Sequence, residues 1–210
     1  MSNKKMAVLT FGCQMNKYDS ERVVGLMQAE DYEITDNARE ADLVVVNTCA
    51  IREKSESKVF SQLGRLKGLK EKHPGTQIAV CGCVAQRVGA GFVERTPFVD
   101  VVIGTDNIEK LPGLLVQSQE EKRSLVDISR DSSFDEPSVI HRKSEFSAFV
   151  SIVKGCNHRC SYCIVPLTRG PERSRPSEII IGDIRQLAEQ GYREITLIGQ
   201  NVNSYAADLP

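Results

Sequence analysis

The stretch ADLVVVNTC, residues 41–49, has four consecutive apolar residues, then a polar pair and a cysteine. A short run that is rich in β-branched residues and apolar on both faces is typical of a buried strand in a parallel sheet. Three other stretches share this character: MAVLTFG at 6–12, QIAVCG at 77–82 and VDVVIGT at 99–105. Segments of helical periodicity follow these strands, at 17–30, 51–72, 84–95 and 107–117. The alternation predicts an α/β domain with a parallel sheet covered by helices.

A second domain is predicted after a polar linker. Residues 117–146 are charged and Ser-rich, with one short apolar patch, and we interpret them as the linker. A strand, SAFVSIVKG at 147–155, follows it, and the segment 176–192 reads as an amphipathic helix with Gly191 at its C-terminal end. REITLIGQN at 193–201 is the next predicted strand.

Composition limits the classes of protein that the chain can belong to. Hydrophobic residues make up 40% and charged residues 26%, as in ordinary globular proteins, and the formal net charge is −1. No apolar run approaches the roughly 18–20 residues that cross a bilayer. The start resembles a signal peptide but has no cleavage site, so we read it as the first strand and expect a cytoplasmic protein without membrane association. The net charge argues against coating of nucleic acid by the overall field.

Seven cysteines in a cytoplasmic chain favour metal binding or catalysis over disulfides. Cys13, Cys49 and Cys83 each follow a predicted strand and precede a helix, so the sheet should bring three thiolates to one edge. Three thiolates leave one coordination position open, which suits a 4Fe–4S cluster. The alternative is that the three are buried small hydrophobes. Cys81 lies inside its strand and is predicted to belong to the core.

Two polar residues near Cys13 also have two readings. Asn16 and Asp19 are either functional groups beside the thiolate or an N-cap and an acidic first turn of the helix. A phosphate-binding dinucleotide site is excluded at this point, because no G-x-G-x-x-G motif follows the first strand.

A second set of cysteines lies in GCNHRCSYC at 155–163. Cys156, Cys160 and Cys163 form a C-x3-C-x2-C pattern in a loop between a strand and a helix. Tetrahedral zinc needs four ligands, and His158 is the only local candidate for the fourth. Three thiolates on a 4Fe–4S cluster leave one iron free for a small molecule, and this pattern is therefore also consistent with a catalytic cluster.

Several stretches together resemble the radical S-adenosylmethionine (SAM) methylthiotransferases. They are TFGCQMNKYDSE at 10–21, VVNTCAIREKSESK at 45–58, GCVAQR at 82–87, GCNHRCSYCIVPLTRGPERSR at 155–175 and LIGQNVNSY at 197–205. Within this family, GCQMN resembles the tRNA-modifying MiaB type, whereas the type that modifies a ribosomal protein typically has GCPKN there. The resemblance covers nearly the whole chain.

The resemblance implies two 4Fe–4S clusters and SAM as cofactors. Cys156, Cys160 and Cys163 would hold the radical SAM cluster, and Cys13, Cys49 and Cys83 an auxiliary cluster. Tyr162 occupies the aromatic position of the C-x3-C-x-aromatic-C motif of radical SAM enzymes, and Gln200 and Asn201 lie at a strand end where the family contacts SAM. No catalytic residue is assigned.

The implied reaction adds a methylthio group at C2 of N6-isopentenyladenosine next to the tRNA anticodon. tRNA and an electron-donor protein would be the partners, and the oligomeric state is not predicted. The basic segment TRGPERSR at 168–175 would contact tRNA phosphates or form a solvated surface loop. A ribosomal-protein methylthiotransferase and a non-enzymatic cluster- or zinc-binding protein stay open as alternatives.

The domain prediction follows from the same resemblance. Residues 1–116 would form the N-terminal methylthiotransferase α/β domain, 117–146 the linker, and 147–210 the beginning of an incomplete radical SAM (βα) barrel. Because only one βα unit and the next strand follow residue 147, we expect the 210-residue chain to be the N-terminal portion of a longer enzyme and to be inactive alone.

Overall fold

The computed structural model describes residues 4–50, 53–130 and 140–209, with backbone only for 53–55. Residues 51 and 52 of one predicted helix and 131–139 of the predicted linker lie outside this part of the chain. The first domain has six strands: β1 (Lys4–Thr10), β2 (Tyr32–Ile34), β3 (Leu43–Thr48), β4 (Gln77–Gly82), β5 (Val101–Ile103) and β6 (Leu125–Asp127). Its helices are α1 (Gln14–Ala29), α2 (Glu53–Lys72), α3 (Cys83–Val88), α4 (Ala90–Arg95) and α5 (Leu111–Glu121).

All six strands pair in parallel, in the order β2-β1-β3-β4-β5-β6. The alternation of side chains along each strand supplies two apolar faces. Leu43 and Val45 pack beneath α1 and α5, whereas Val44 and Val46 pack beneath α2, α3 and α4. A sheet buried on both faces explains the uninterrupted apolar run of β3, and the predicted α/β class is confirmed.

The structure adds three details to the sequence pattern of the first domain. Within the described residues the sheet has six strands, two more than the apolar runs indicate, because β2 and β6 are edge strands with one buried residue each and lack the continuous apolar run of the equally short β5. Helix α5 extends to Glu121 and β6 pairs with β5, so regular structure of the first domain continues past the predicted boundary at residue 116. In addition, the segment predicted as one helix at 84–95 forms two short helices that meet at Gly89.

The second region contains a small mixed sheet. Its elements are β7 (Ser147–Lys154), α6 (Val165–Arg169), β8 (Arg173–Ser174), α7 (Ser177–Glu189) and β9 (Glu194–Gly199). Strand β7 pairs in parallel with β9 and antiparallel with β8. Helix α7 covers one face through Ile180 and Leu187, which pack with Val150 and Ile152. A strand, a helix and a parallel strand therefore follow one another here, as predicted.

The two regions share an apolar contact. Met15 and Tyr18 of α1 are buried together with Ile198 of β9, and Phe149 of β7 packs against them. Within the described residues, no helix is long and apolar enough to cross a membrane.

A buried polar network ties β3 to α1. The side-chain amide of Asn47 donates hydrogen bonds to the Asn16 carbonyl at 2.8 Å and to Ser20 Oγ at 2.9 Å. In return, Asn16 Nδ2 donates to Asn47 Oδ1 at 3.0 Å and to the Thr48 carbonyl at 2.8 Å. Both asparagines are fully buried. Each group is therefore satisfied only while the helix keeps its present position on the sheet.

Asn47→Ala should lower the free energy of unfolding by roughly 3 kcal/mol, because the Asn16 carbonyl and side chain lose partners in a dry environment. Urea unfolding of the metal-free chain, followed by circular dichroism, measures this change. Asn37→Ala is the matched control. Asn37 is exposed and its side chain accepts one backbone hydrogen bond from Arg39, so its removal should cost less than about 1 kcal/mol. Equal losses in the two variants would contradict the role of the buried network.

Candidate functional site

The carboxyl ends of β1, β3 and β4 form the site. The chain leaves β1 for β2 on one side of the sheet, and it leaves β3 for β4 on the other. The connections after β1 and β3 therefore run to opposite faces and leave a crevice between them, where open parallel sheets bind ligands. Cys13 lies three residues beyond the end of β1, Cys49 directly follows β3, and Cys83 directly follows β4. The fold therefore places the three cysteines at one edge of the sheet, as the sequence predicts.

Cys13 and Cys49 lie next to each other because Gly12 allows a close approach. The φ angle of Gly12 is +120°, and a Cβ atom there would lie 2.4 Å from Cys49 Cβ and 2.7 Å from Cys49 Sγ. No other residue type fits that space or that backbone conformation without a shift. Gly12 is therefore needed both for the turn after β1 and for the packing of Cys49 beside it.

The pKa of Cys13 is lowered to about 5. The largest cause is a hydrogen bond with the Cys49 side chain; burial opposes the shift, while the backbone of Asn16 and the charge of Arg169 support it. Cys13 is also the N-cap of the 16-residue helix α1, whose dipole favours negative charge at this end. The site thus stabilises a thiolate at Cys13, the form of cysteine that binds iron.

Cys83 is held by the turn between β4 and α3. The Thr48 hydroxyl donates to the Cys81 carbonyl at 2.6 Å and accepts from the backbone amides of Val84 and Ala85 at 3.1 and 3.2 Å. Gly82 has φ +91°, and a Cβ atom there would lie 2.3 Å from the Thr48 carbonyl. Thr48 immediately precedes Cys49, so one residue fixes the backbone beside two of the three cysteines.

Cys81 has a different environment, and its predicted core role is confirmed. The residue is fully buried in the apolar layer beneath α1 and α5, together with Val45 and Ala79. Burial is the main cause that raises the pKa of its thiol. A neutral, buried thiol of this kind behaves as a small apolar side chain.

The residues at the sheet edge fit an iron–sulfur cluster better than a single metal ion. Within the described residues, no three Cys, His, Asp or Glu side chains are close enough together to hold one metal ion. A 4Fe–4S cluster has a different requirement, because its thiolates bind different irons and surround the cube from outside. Cys13 and Cys49 are adjacent, Asn16 Oδ1 lies between Cys13 Sγ and Arg169 Nη2, and α3, which begins with Cys83, packs on α6, which ends with Arg169.

The second set of cysteines lies in the loop between β7 and α6. The amide of Cys156 donates to the Gly170 carbonyl at 3.2 Å, and the amide of Cys163 donates to the Cys160 carbonyl at 3.0 Å. Cys156 is buried, Cys163 is partly exposed and Cys160 is exposed. The loop therefore holds one thiol against the protein and offers the others toward its outer side.

The three residues that the resemblance assigns to SAM lie in different places. Tyr162 has 90% of its surface exposed. Gln200 Oε1 accepts a hydrogen bond from the amide of Gly155 at 2.6 Å, so this side chain supports the start of the cysteine loop. Asn201 precedes a short 3-10 helix at Val202–Ser204, and its carbonyl accepts from Ser204. Tyr162 is thus part of the loop itself, and Gln200 contacts the first residue of the loop.

The reading of 168–175 as a solvated surface loop is wrong for its arginines, because each of them pairs with a carboxylate of the protein. Arg169 Nη2 lies 2.6 Å from Asp19 Oδ2, and Arg173 Nη2 lies 2.9 Å from Asp106 Oδ1. Arg175 is 2% exposed and pairs with Asp183 of α7 at 2.8 Å. These arginines join parts of the protein to each other.

Asn16 and Asp19 are neither an N-cap nor an exposed acidic turn. Both are buried, at 0% and 1% exposure, and Cys13 occupies the N-cap position. The sequence carries a signal that would have found them. Asn16, Asp19 and Arg22 recur at intervals of three residues, which places a polar stripe on the buried face of α1. Arg169 has no such signal, because its partner is 150 residues away in the chain.

A cavity of about 790 Å³ lies between the two sheets. Its walls come from β1, α1 and the end of β2 on one side, and from residues 141–149 and β9 on the other. Gly12 lines the cavity, but none of the six candidate cysteines does. The cavity therefore borders the cysteine site without containing it.

Comparison with known proteins matches the two regions separately. Residues 5–104 match the model of the uncharacterized protein family UPF0004, and residues 150–208 match that of the radical SAM superfamily. The chain is 48% identical to the tRNA-2-methylthio-N(6)-dimethylallyladenosine synthase of Clostridium perfringens over 212 residues, which cover 100% of this chain and 47% of the relative. Proteins of the same name from Vibrio vulnificus and Cupriavidus necator are 49% and 50% identical, over 99% and 98% of this chain and 44% and 46% of theirs.

The chain belongs to the MiaB type of the radical SAM methylthiotransferase family. The resemblance inferred from the short motifs is confirmed over the whole chain. The UPF0004 match covers β1 to β5 with Cys13, Cys49 and Cys83, and the radical SAM match covers the loop with Cys156, Cys160 and Cys163. The chain spans about half the length of these curated methylthiotransferase relatives.

The sheet-edge site predicts different effects for two cysteines that are two residues apart. Cys83→Ala should remove the cluster at the sheet edge, because Cys83 follows the end of β4 beside Arg169. Cys81→Ala is the matched control and should keep full iron, because the Cys81 thiol is in the core. Iron and sulfide analysis after anaerobic reconstitution measures both variants. Loss of iron in Cys81→Ala with retention in Cys83→Ala would reverse the assignment.

Proposed function

We propose that this protein takes part in tRNA methylthiolation, the addition of a methylthio group at C2 of N6-isopentenyladenosine next to the anticodon. The observation that carries the proposal is a contact between two helices, one of which follows the loop with three cysteines while the other begins with a cysteine of the sheet-edge set. Helix α6, which directly follows the loop with Cys156, Cys160 and Cys163, packs on α3, whose first residue is Cys83. Insertion of sulfur into a bond opened by a radical requires a radical source and a sulfur source at one substrate, and this packing supports that arrangement.

Each set of cysteines has a distinct role in the proposal. Cys156, Cys160 and Cys163 would hold the cluster that binds SAM, and Cys13, Cys49 and Cys83 would hold the auxiliary cluster. When bound, the cofactors supply the radical chemistry that an inert adenine C2–H bond requires. The chain itself contributes the geometry. Gly12 lets Cys49 approach Cys13, Thr48 fixes the turn before Cys83, and Gln200 supports the backbone that begins the loop.

tRNA and an electron-donor protein complete the proposal as partners. Relatives that are about half identical to this chain carry the name of a tRNA-2-methylthio-N(6)-dimethylallyladenosine synthase, which supports tRNA as the substrate. Since Arg169, Arg173 and Arg175 are committed to internal ion pairs, contacts to tRNA phosphates must come from other residues. Arg159, which is exposed within the cysteine loop, is one such cation. The division of the chain into two domains, the cytoplasmic location and the inactivity of the 210-residue chain alone stay predictions.

The presence of two separate clusters is tested by removing one set of ligands. Simultaneous replacement of Cys156, Cys160 and Cys163 with alanine should halve the iron content and leave the spectrum of one cluster. Replacement of Cys13, Cys49 and Cys83 should halve it as well and leave the other spectrum, because the two sets lie on different elements. Iron that stays unchanged, or vanishes altogether, in either triple variant would contradict two independent sites.

The proposed reaction is tested in a hybrid enzyme. Residues 1–210 of this protein replace the matching part of the Clostridium perfringens relative, and the hybrid is reconstituted anaerobically with iron and sulfide. Incubation with isopentenylated tRNA, SAM and a reductant should yield 2-methylthio-N6-isopentenyladenosine, detected by mass spectrometry of the nucleosides.

The same hybrid with Cys13→Ala should bind one cluster and form none of this product, whereas Cys81→Ala should retain activity. A hybrid that carries two clusters and leaves the tRNA unmodified would refute the proposed function.

A further inference from the structure

Arg169 brings a buried positive charge to the sheet-edge cysteines. Its side chain is 4% exposed and its Nη2 lies 2.6 Å from Asp19 Oδ2 and 3.5 Å from Asn16 Oδ1. Asp19 and Asn16 belong to α1, the helix whose N-cap is Cys13. Arg169 itself ends α6, the element that follows the second cysteine loop. One guanidinium therefore connects the second region to the helix that carries the first cysteine of the sheet edge.

Arg169 shares its carboxylate partner with a second buried arginine. Asp19 is its carboxylate partner, and Asp19 Oδ1 also lies 3.6 Å from Arg22 Nη1, while Arg22 pairs further with Glu109. Asp19 is thus shared between two buried arginines, both of which are almost inaccessible to solvent. The second carboxylate, Glu109, lies at the outer end of this row and is 39% exposed. Arg169 therefore shares its carboxylate at the inner end of this row, on the helix whose N-cap is Cys13.

One atom lies between the charge of Arg169 and the first cysteine: Asn16 Oδ1 is 3.5 Å from Arg169 Nη2 and 3.4 Å from Cys13 Sγ. Arg169 acts to lower the pKa of Cys13, and the charges of Cys83 and Cys13 act on Arg169 in return. Burial acts to lower the pKa of Arg169, but the charge of Asp19 and of these cysteines outweighs burial, so the pKa is raised and the guanidinium stays protonated. A permanent cation in a site of low dielectric constant interacts far more strongly with nearby charge than it would in water.

We propose that Arg169 sets the reduction potential of the cluster bound by Cys13, Cys49 and Cys83. The inference rests on the proposed function, since it presupposes that these cysteines bind a 4Fe–4S cluster. On reduction the cluster gains one electron, and therefore one unit of negative charge, from an external reductant that is oxidised. A buried cation beside the thiolates stabilises the more negative, reduced form, so Arg169 raises the potential. Arg169 would therefore act on the cluster by its charge and would not bind it.

A purely mechanical role of Arg169 predicts something different. If the residue only clamps α6 onto α1, its loss and the loss of Asp19 would loosen the same junction and shift the potential in the same direction. The electrostatic role predicts opposite directions. Arg169→Gln removes the cation and lowers the potential, whereas Asp19→Asn leaves the cation less compensated and raises it.

The experiment uses the full 210-residue chain with Cys156, Cys160 and Cys163 replaced by alanine, so that only one cluster contributes. The reconstituted protein is titrated anaerobically with dithionite in the presence of redox mediators and followed by electron paramagnetic resonance. We expect Arg169→Gln to lower the equilibrium constant for reduction about tenfold, which is about 59 mV for one electron. Asp19→Asn should raise this constant, and Arg169→Lys, which keeps the charge, should stay closer to the parent than Arg169→Gln.

Arg173→Gln is the matched control. Arg173 lies in the same segment, and its ion pair with Asp106 also connects the second region to the first. Because its ion pair is with Asp106 and not with Asp19 of α1, its replacement should shift the potential much less than Arg169→Gln does. A change as large as that of Arg169→Gln would show that any broken junction alters the cluster.

The outcomes separate this inference from the proposed function. A parent protein that binds no iron would overturn both, because there would be no cluster to tune. A parent protein that binds the cluster, with shifts in the same direction or no shifts in Arg169→Gln and Asp19→Asn, would overturn only the role of Arg169. If Arg169→Gln fails to retain the cluster, the signs of the shifts in Arg169→Lys and Asp19→Asn decide.

Discussion

The common level at which β1, β3 and β4 end is the constraint on which the rest of the structure depends. Thr10 pairs with Asn47, and Asn47 pairs with Cys81, so three neighbouring strands release the chain at the same edge. This register is strongly specified, because a slip by one residue would turn Val44 and Val46 toward the wrong helical layer. Two apolar faces thereby fix where Cys13, Cys49 and Cys83 emerge. The packing of the valines on both faces of the sheet therefore decides where these cysteines lie in space.

Prediction from the sequence worked where a feature is local and failed where it depends on distant partners. The apolar run of β3 and the interior position of Cys81 could be recognised because both follow from the apolar residues next to them in the chain. Strands β2 and β6 have one buried residue each, too few to give the apolar run that marks the equally short β5, and they join the sheet because neighbouring strands offer open edges. The roles of Arg169 and Arg173 depend on Asp19 and Asp106 in the other region, and local sequence holds no trace of that pairing.

Buried polar groups concentrate on the side of α1 that faces the sheet edge. Asn16, Asp19 and Arg22 are all less than 3% exposed, in a position where apolar side chains would cost less desolvation. Groups of this kind tolerate few alternative arrangements, because each must find its partner when water is excluded. We interpret the stripe as a device that positions α1, and with it Cys13, relative to β3 and α6. The same stripe gives the site a preorganised charge pattern before any cofactor is present.

The distance along the chain between Asp19 and Arg169 orders the events of biosynthesis. The two residues are separated by 150 positions, and α6 leaves the ribosome only after all six strands of the first sheet have been made. Domains fold largely as units from the N-terminus during synthesis. The nascent chain therefore passes through a stage in which the sheet edge with Cys13, Cys49 and Cys83 is formed while its cover, α6, is still missing. In that stage the edge is open to solvent, and it is covered only after α6 and then β9, whose Ile198 packs in the same cluster as Cys13, have been made.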